Sequence, residues 1–243
     1  MSLYMRRKLK KKEDMYQLSH KYKRTAVLWM LIGIIYFSNQ TALRAQFYTI
    51  PDITFRNYLS TTYPGILNGS NDLIISNAAA IEGPFSITSG VTNVDGVQYF
   101  TAVDSIYCFS NNIPSMPFIS SMTDLKVIQV GNSNLTVLPT NLNQLTSLKN
   151  LIIETNKLTI VPSLKGLTNL KEIKLWQNSI SVLPDLSTLS SLELLDMNDN
   201  PMTAFPTMAA TMPKLSRMNF NGAKIKVISS FPFMPLIDTI RYN

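Results

Sequence analysis

Few side chains in this sequence could carry covalent or metal chemistry, and their placement removes most of it. The chain has 243 residues with one cysteine, Cys108, and one histidine, His20. His20 lies in a basic leader, so no imidazole remains from Gln46 onward. Zinc sites built from His and Cys, Cys/His nucleophiles and Ser-His-Asp triads are thereby excluded. A single thiol also leaves no internal disulfide. Glu172, Asp196 and Asp199 could be assembled into an acid–base group, but their spacing puts each at a solvent-facing position with no pocket implied. A glycine-rich phosphate loop is absent as well. The sequence therefore reads as a non-enzyme with no cofactor and no metal. What remains is the chemistry of non-covalent recognition, carried by Trp176, Phe109 and Tyr107 among polar and charged neighbours.

The elements that position these residues follow from an internal repeat. Written as L-x-x-L-x-L-x-x-N-x-L, units begin at Val103, Leu125, Leu148, Leu170, Leu192, Leu215 and Ile237, at intervals of 22 or 23 residues. The clearest copy runs Leu170, Ile173, Leu175, Asn178, Ile180. Positions 4 and 6 alternate with polar neighbours, which predicts a short strand with one buried face. The Asn at position 9 follows the strand where the chain must turn, and its amide can bond backbone groups left unpaired there. Stacked copies predict a ladder of Asn111, Asn156, Asn178 and Asn200, broken at Ser133 and Ala223. Ser133 can replace part of that bonding; Ala223 cannot. A proline recurs at Pro139, Pro162, Pro184 and Pro206, and apolar residues then return every third position, as in Leu142-Leu145-Leu148. Proline ends strand-like pairing, and the threefold spacing suits a 3₁₀ or single-turn outer side.

This pattern resembles the leucine-rich-repeat family over roughly residues 81 to 243. The resemblance implies an α/β leucine-rich-repeat solenoid. It would have one short parallel strand per repeat of 22–23 residues, a convex side of 3₁₀ or short turns, and a small N-terminal cap. Residues 46–100 read as that cap with a degenerate first repeat, and 101–243 as the repeats. Within the cap, Pro51-Asp52 starts a helix placing Phe55, Tyr58, Leu59 and Thr62 on one face. The stretch Val91-Thr92-Asn93-Val94-Asp95-Gly96-Val97-Gln98-Tyr99-Phe100 leads into Val103. This pairing resembles the cap of internalin-like bacterial surface proteins, which implies a secreted or surface binding protein without identifying its partner. The absence of a cysteine-rich cap fits bacterial capping.

Alternation sends positions 3, 5 and 7 to the concave side. The expected ligand-binding residues are Tyr107, Phe109, Gln129, Ile152, Glu154, Lys174, Trp176, Asp196 and Asn198, with Trp176 and Phe109 as anchors. Lys174, Glu154, Glu172, Asp196 and Asp199 form a mixed-charge patch beside Trp176. Cys108 occupies an inward position and reads as a buried, inert thiol.

The formal charge of +7 belongs to the leader. Ten of the 22 basic residues and two of the 15 acidic ones precede Gln46, leaving 12 against 13 after it. No basic stripe survives to suggest nucleic acid. The leader has a secretory order: a basic stretch ending at Lys21-Tyr22-Lys23-Arg24, the 12-residue apolar run Ala26 to Phe37, and a cleavage point after Ala45. That run is short of the roughly 20 residues a spanning helix needs, so membrane contact is expected only if the leader stays uncleaved. Residues 1–45 are thus read as a signal region and the chain as exported, secreted or at the cell surface. The repeat beginning at Ile237 shows no polar outer face, so a truncated C-terminus is expected. Two readings of function remain open: a module that binds a protein or cell-surface ligand, or the targeting arm of a larger secreted effector.

Overall fold

The computed structural model describes residues 46–116, 121–226 and 232–241. The leader, with its apolar run, and Tyr242, the expected position 6 of the last repeat, lie outside the described residues. The chain divides into two compact units, Met1–Phe47 and Tyr48–Asn243. Of the first, only Gln46 and Phe47 are described. Among the described residues no helix is long and apolar enough to cross a membrane.

The second unit opens with helix α1, Ile53–Thr62. Asp52 starts it as an N-cap: its Oδ1 accepts the Phe55 N–H at 2.8 Å. Phe55 and Leu59, one turn apart, are fully buried, while Tyr58 is half-buried and donates to the Ser86 carbonyl. Thr62 is exposed, a departure from the expected face, because the helix gives way there to Tyr63, which stacks on Phe85 at 5.8 Å. Phe85, Phe100, Phe55 and Tyr63 make an aromatic cluster under the helix. That cluster covers the end of the array, which otherwise would expose an apolar layer.

Eight parallel strands follow in chain order within one sheet. They are β1 (Gly83–Ile87), β2 (Val103–Phe109), β3 (Val127–Gly131), β4 (Asn150–Ile152), β5 (Glu172–Lys174), β6 (Leu194–Asp196), β7 (Arg217–Asn219) and β8 (Thr239–Arg241). The register matches the sequence spacing. Ile106, Ile128, Leu151, Ile173, Leu195, Met218 and Ile240 pair in sequence as position 4. All but Ile240 are buried, and Ile240, on the last described strand, is 37% exposed. Strand β1 pairs with β2 through Phe85↔Ile106 and Ile87↔Cys108, with a register shift at Gly83/Pro84. The degenerate first repeat is therefore a complete strand of the sheet.

The outer side is turns more than helix. A 3₁₀ helix forms at Val97–Tyr99 and at Leu142–Gln144. From Leu164 through Leu167 to Leu170, and from Leu186 through Leu189 to Leu192, two successive single turns close by i→i+3 bonds, of 3.1 and 3.0 Å in the first and 3.0 and 3.2 Å in the second.

The asparagine ladder forms as the spacing requires. Asn178 Oδ1 accepts the Leu158 N–H at 3.0 Å, and its Nδ2 donates to the carbonyls of Ile153 and Leu175 at 2.7 and 3.0 Å. Asn200 repeats the pattern on Ile180 and Leu175, and Asn156 on Ser133, Leu135 and Val130. Asn111 joins the array to the cap by accepting the Val91 N–H at 2.8 Å. The two breaks are satisfied differently. At Ser133 the backbone carbonyl takes the Ile113 N–H at 2.9 Å, and the hydroxyl donates to Gly131 O at 2.9 Å. At Ala223 no side-chain acceptor exists, and the Met202 N–H turns back to Asn200 O, two residues away, at 2.8 Å.

Preceding each ladder position is a left-handed residue. Ser110, Asn132, Thr155, Gln177 and Asp199 have φ between 49 and 56°, and Gly222 has 76°. The turn aims the position 9 amide inward at the cost of one strained backbone per repeat. Among the described residues only the copy beginning at Leu215 relieves it with glycine.

Candidate recognition face

The outward side chains of the sheet form three columns across the stacked strands. The middle column runs Tyr107, Gln129, Ile152, Lys174, Asp196, Asn219, each paired with the next in register. All six are half-buried by their neighbours. Tyr107, Gln129 and Ile152 make no side-chain hydrogen bond to any of the described residues.

The position 7 column holds the aromatic residues. Phe109 is the more open of the two expected anchors, at 41% exposed. It lies against Gly131: a Cβ there would come within 2.9 Å of Phe109 Cδ1 and 3.4 Å of Glu154 Cγ. Glycine is therefore what lets the ring lie along the sheet toward Glu154. Glu154 in turn accepts the Trp176 indole N–H at 3.1 Å. Trp176 is half-buried, so its ring sits lower on the face than an unsupported anchor would. Phe109, Gly131, Glu154 and Trp176 thus form one continuous shelf over four strands. The sequence marked Phe109, Glu154 and Trp176, but the glycine and the indole bond that organise them leave no periodic signal.

The expected mixed-charge patch resolves into separate, locally satisfied groups. Lys174 Nζ pairs with Glu172 Oε2 at 3.1 Å, and Asn150 Nδ2 donates to the same oxygen at 3.0 Å. Asp196 Oδ1 accepts the Asn198 N–H at 3.0 Å, and Asn198 Nδ2 donates to Asp199 at 2.7 Å. Glu172, Asp196 and Asp199 are each tied to different donors and form no carboxylate pair. Among the described residues no group of His, Cys, Asp or Glu could hold a metal ion. Cys108 is 1% exposed. Burial pushes its thiol pKa up, against the lowering effect of hydrogen bonds from Asn111 and Ser133, so the thiolate is disfavoured.

The sheet, the ladder and the cap define a leucine-rich-repeat solenoid. Its fold is that of internalin C2 from Listeria monocytogenes: 22% identity over 76% of this chain and 92% of that one, with a TM-score of 0.51. A leucine-rich-repeat protein of Leptospira interrogans is 17% identical over 69% of this chain and 54% of its own, at a TM-score of 0.47. Internalin F of Listeria monocytogenes is 14% identical over 74% and 72%, at 0.35. No family model matches the chain, and no curated protein matches it.

Proposed function

We propose that the chain is an exported recognition module that engages a protein or cell-surface ligand through the outward face of its sheet. The observation that carries this reading is the Phe109–Gly131–Glu154–Trp176 shelf. Two aromatic rings lie outside the core on rigid strands, and one is braced by a glycine that no packing in the interior demands. Rigid aromatics supply contact area at low entropic cost, which is why they dominate binding energies at interfaces. The absence of any histidine beyond the leader argues for binding over catalysis. The fold supports the same reading, since stacked strands present long surfaces suited to macromolecules.

The test places a photo-crosslinking residue at Gln129 or Ile152 on the shelf side, and at Lys165 on the opposite, exposed side, in the protein on its native cell surface. Discrete adducts are expected from the first two positions, weakened by Phe109→Ala, and none from Lys165. Adducts confined to Lys165 would remove the sheet face from consideration.

Export rests on the leader, whose basic, apolar and small-residue segments run in secretory order. Protein recovered from the host's medium or surface is expected to begin near Gln46. A cytosolic form that still starts at Met1 would contradict it.

A further inference from the structure

The other end of the same face carries a different chemistry. Between β6, β7 and β8 lies a cleft of about 330 Å³, lined by Leu194, Asp196, Arg217, Asn219, Asp238 and Arg241 among others. Register places Arg217 opposite Thr239 and Arg241 opposite Asn219, so the two arginines are diagonal neighbours on one face. One strand spacing and two residue rises put their backbones roughly 8 Å apart, within reach of a shared ligand for side chains this long. Both are exposed, and neither side chain forms an ion pair or a hydrogen bond with any of the described residues. This separates them from Lys174, Lys126 and Lys171, each of which has a carboxylate partner.

Beside the arginines sits a fixed pair of opposite hydrogen-bonding character. Asp196 and Asn219 face each other across β6 and β7. Each is pinned by its own turn: Asp196 Oδ1 accepts the Asn198 N–H at 3.0 Å, and Asn219 Oδ1 the Asn221 N–H at 3.2 Å. The second oxygen of Asp196 and the amide nitrogen of Asn219 stay open, one an acceptor and the other a donor. A hydroxyl group satisfies both at once, donating to the carboxylate and accepting from the amide. Ordering the two side chains in advance removes part of the entropic cost of binding.

The geometry points to a binding site for a carboxylated sugar, a uronic or sialic acid unit, whose carboxylate meets Arg217 and Arg241 and whose hydroxyls meet Asp196 and Asn219. The guanidinium fork matches a carboxylate in both shape and charge. Two acidic side chains line the cleft against two arginines, so its charge is balanced. That balance disfavours a densely anionic segment, such as an acidic peptide, and suits one carboxylate surrounded by neutral hydroxyls. Leu194 supplies an apolar surface for the non-polar face of a sugar ring. A cleft of this volume lies at the small end of ligand pockets, the size of a single sugar unit. The site shares no residue with the Phe109–Trp176 shelf, so it stands or falls apart from the function proposed above.

Calorimetric titration of the full chain tests the assignment with four probes: N-acetylneuraminic acid, glucuronic acid, glucose and hexaglutamate. At least one of the two sugar acids is expected to bind with a dissociation constant of about millimolar, and glucose and hexaglutamate are not. Arg217→Gln and Arg241→Gln should each weaken the acid at least about tenfold, since each removes a charge-assisted contact. Arg217→Lys should fall between, keeping the charge and losing the fork. Asn219→Asp should weaken it too, and Phe109→Ala should leave it unchanged. Because the arginines are exposed, their variants keep the fold, which the circular dichroism spectrum checks. Hexaglutamate binding that vanishes with the arginines would make the cleft an acidic-peptide site and overturn the assignment. So would equal affinity for glucose, indifference to both arginine variants, or no saturable binding of either acid.

Discussion

Asn178→Ala lowers the urea midpoint of the array by far more than Asn198→Ala, although the two residues sit 20 positions apart in adjacent repeats and both end in the same amide. Asn178 is 7% exposed and serves two repeats at once. Removing its amide strands the Leu158 N–H and the Ile153 carbonyl, which have no other partner among the described residues. The Leu175 and Trp176 carbonyls fare better, because Asn200 Nδ2 and the Thr155 N–H still reach them. Each of the two stranded buried groups costs about 1–3 kcal/mol, so the loss is roughly 2–6 kcal/mol. The lower part of that range holds if Leu158 turns back on Asn156 as Met202 turns back on Asn200 opposite Ala223. Asn198 lies on the outward face, and among the described residues its side chain bonds only Asp199. Its replacement stays within about 0.5 kcal/mol. Coincident midpoints for the two variants would mean that the ladder does not hold the turns.

The difference between these two asparagines was legible before any coordinates, because position 9 recurs and position 7 does not. Period and polarity together located every strand from Val103 to Ile237, the ladder and its two breaks, and the buried thiol of Cys108. They located less where a feature occurs once. Gly131 reads as an ordinary position 7 residue until Phe109 is placed against it. The left-handed residue at position 8 escaped notice because Ser, Asn, Thr, Gln, Asp and Gly share no obvious preference. The backbone geometry is repeated there, but the residue type is not. The outer side was read as 3₁₀ or single turns, and the described residues hold both; threefold apolar spacing fixes which side chains point inward but does not say which repeat closes as which. The arginine cleft was missed for a related reason. Arg217 and Arg241 occupy positions 3 and 5 of different repeats, and only the stacked register makes them neighbours.

Asp52 shows the same limit at the cap, and replacing it is expected to give the other large loss of stability. Sequence identified it as the start of α1. The structure adds a long-range role: while Oδ1 caps the helix, Oδ2 accepts the Thr92 N–H and hydroxyl at 2.8 Å each and the Asn93 N–H at 3.1 Å. One carboxylate thereby fastens the helix to the chain 40 residues on, beside the Val91 N–H that Asn111 holds. Burial raises the pKa of this group, and the four hydrogen bonds outweigh burial, holding it below the ordinary carboxylate value. Asp52→Ala removes the cap and leaves the Thr92 and Asn93 amides without an acceptor, for a cost of about 2–4 kcal/mol. Asp52→Asn keeps an oxygen for Phe55 but turns an NH₂ group toward two N–H donors, so it recovers only part of that loss. The sign with pH follows from the lowered folded pKa. The stabilisation is complete above the unfolded value near 3.9 and is lost as pH falls through the folded value beneath it. Urea midpoints measured from about pH 7 down to pH 3 should therefore show a constant gap between wild type and Asp52→Asn until about pH 4, then a narrowing one. Exchange of the Phe55, Thr92 and Asn93 amides should quicken together in the variant. A gap that widens on acidification, or an Asn variant as stable as the wild type at neutral pH, would show that the charge on Asp52 is not what joins the helix to the first repeat.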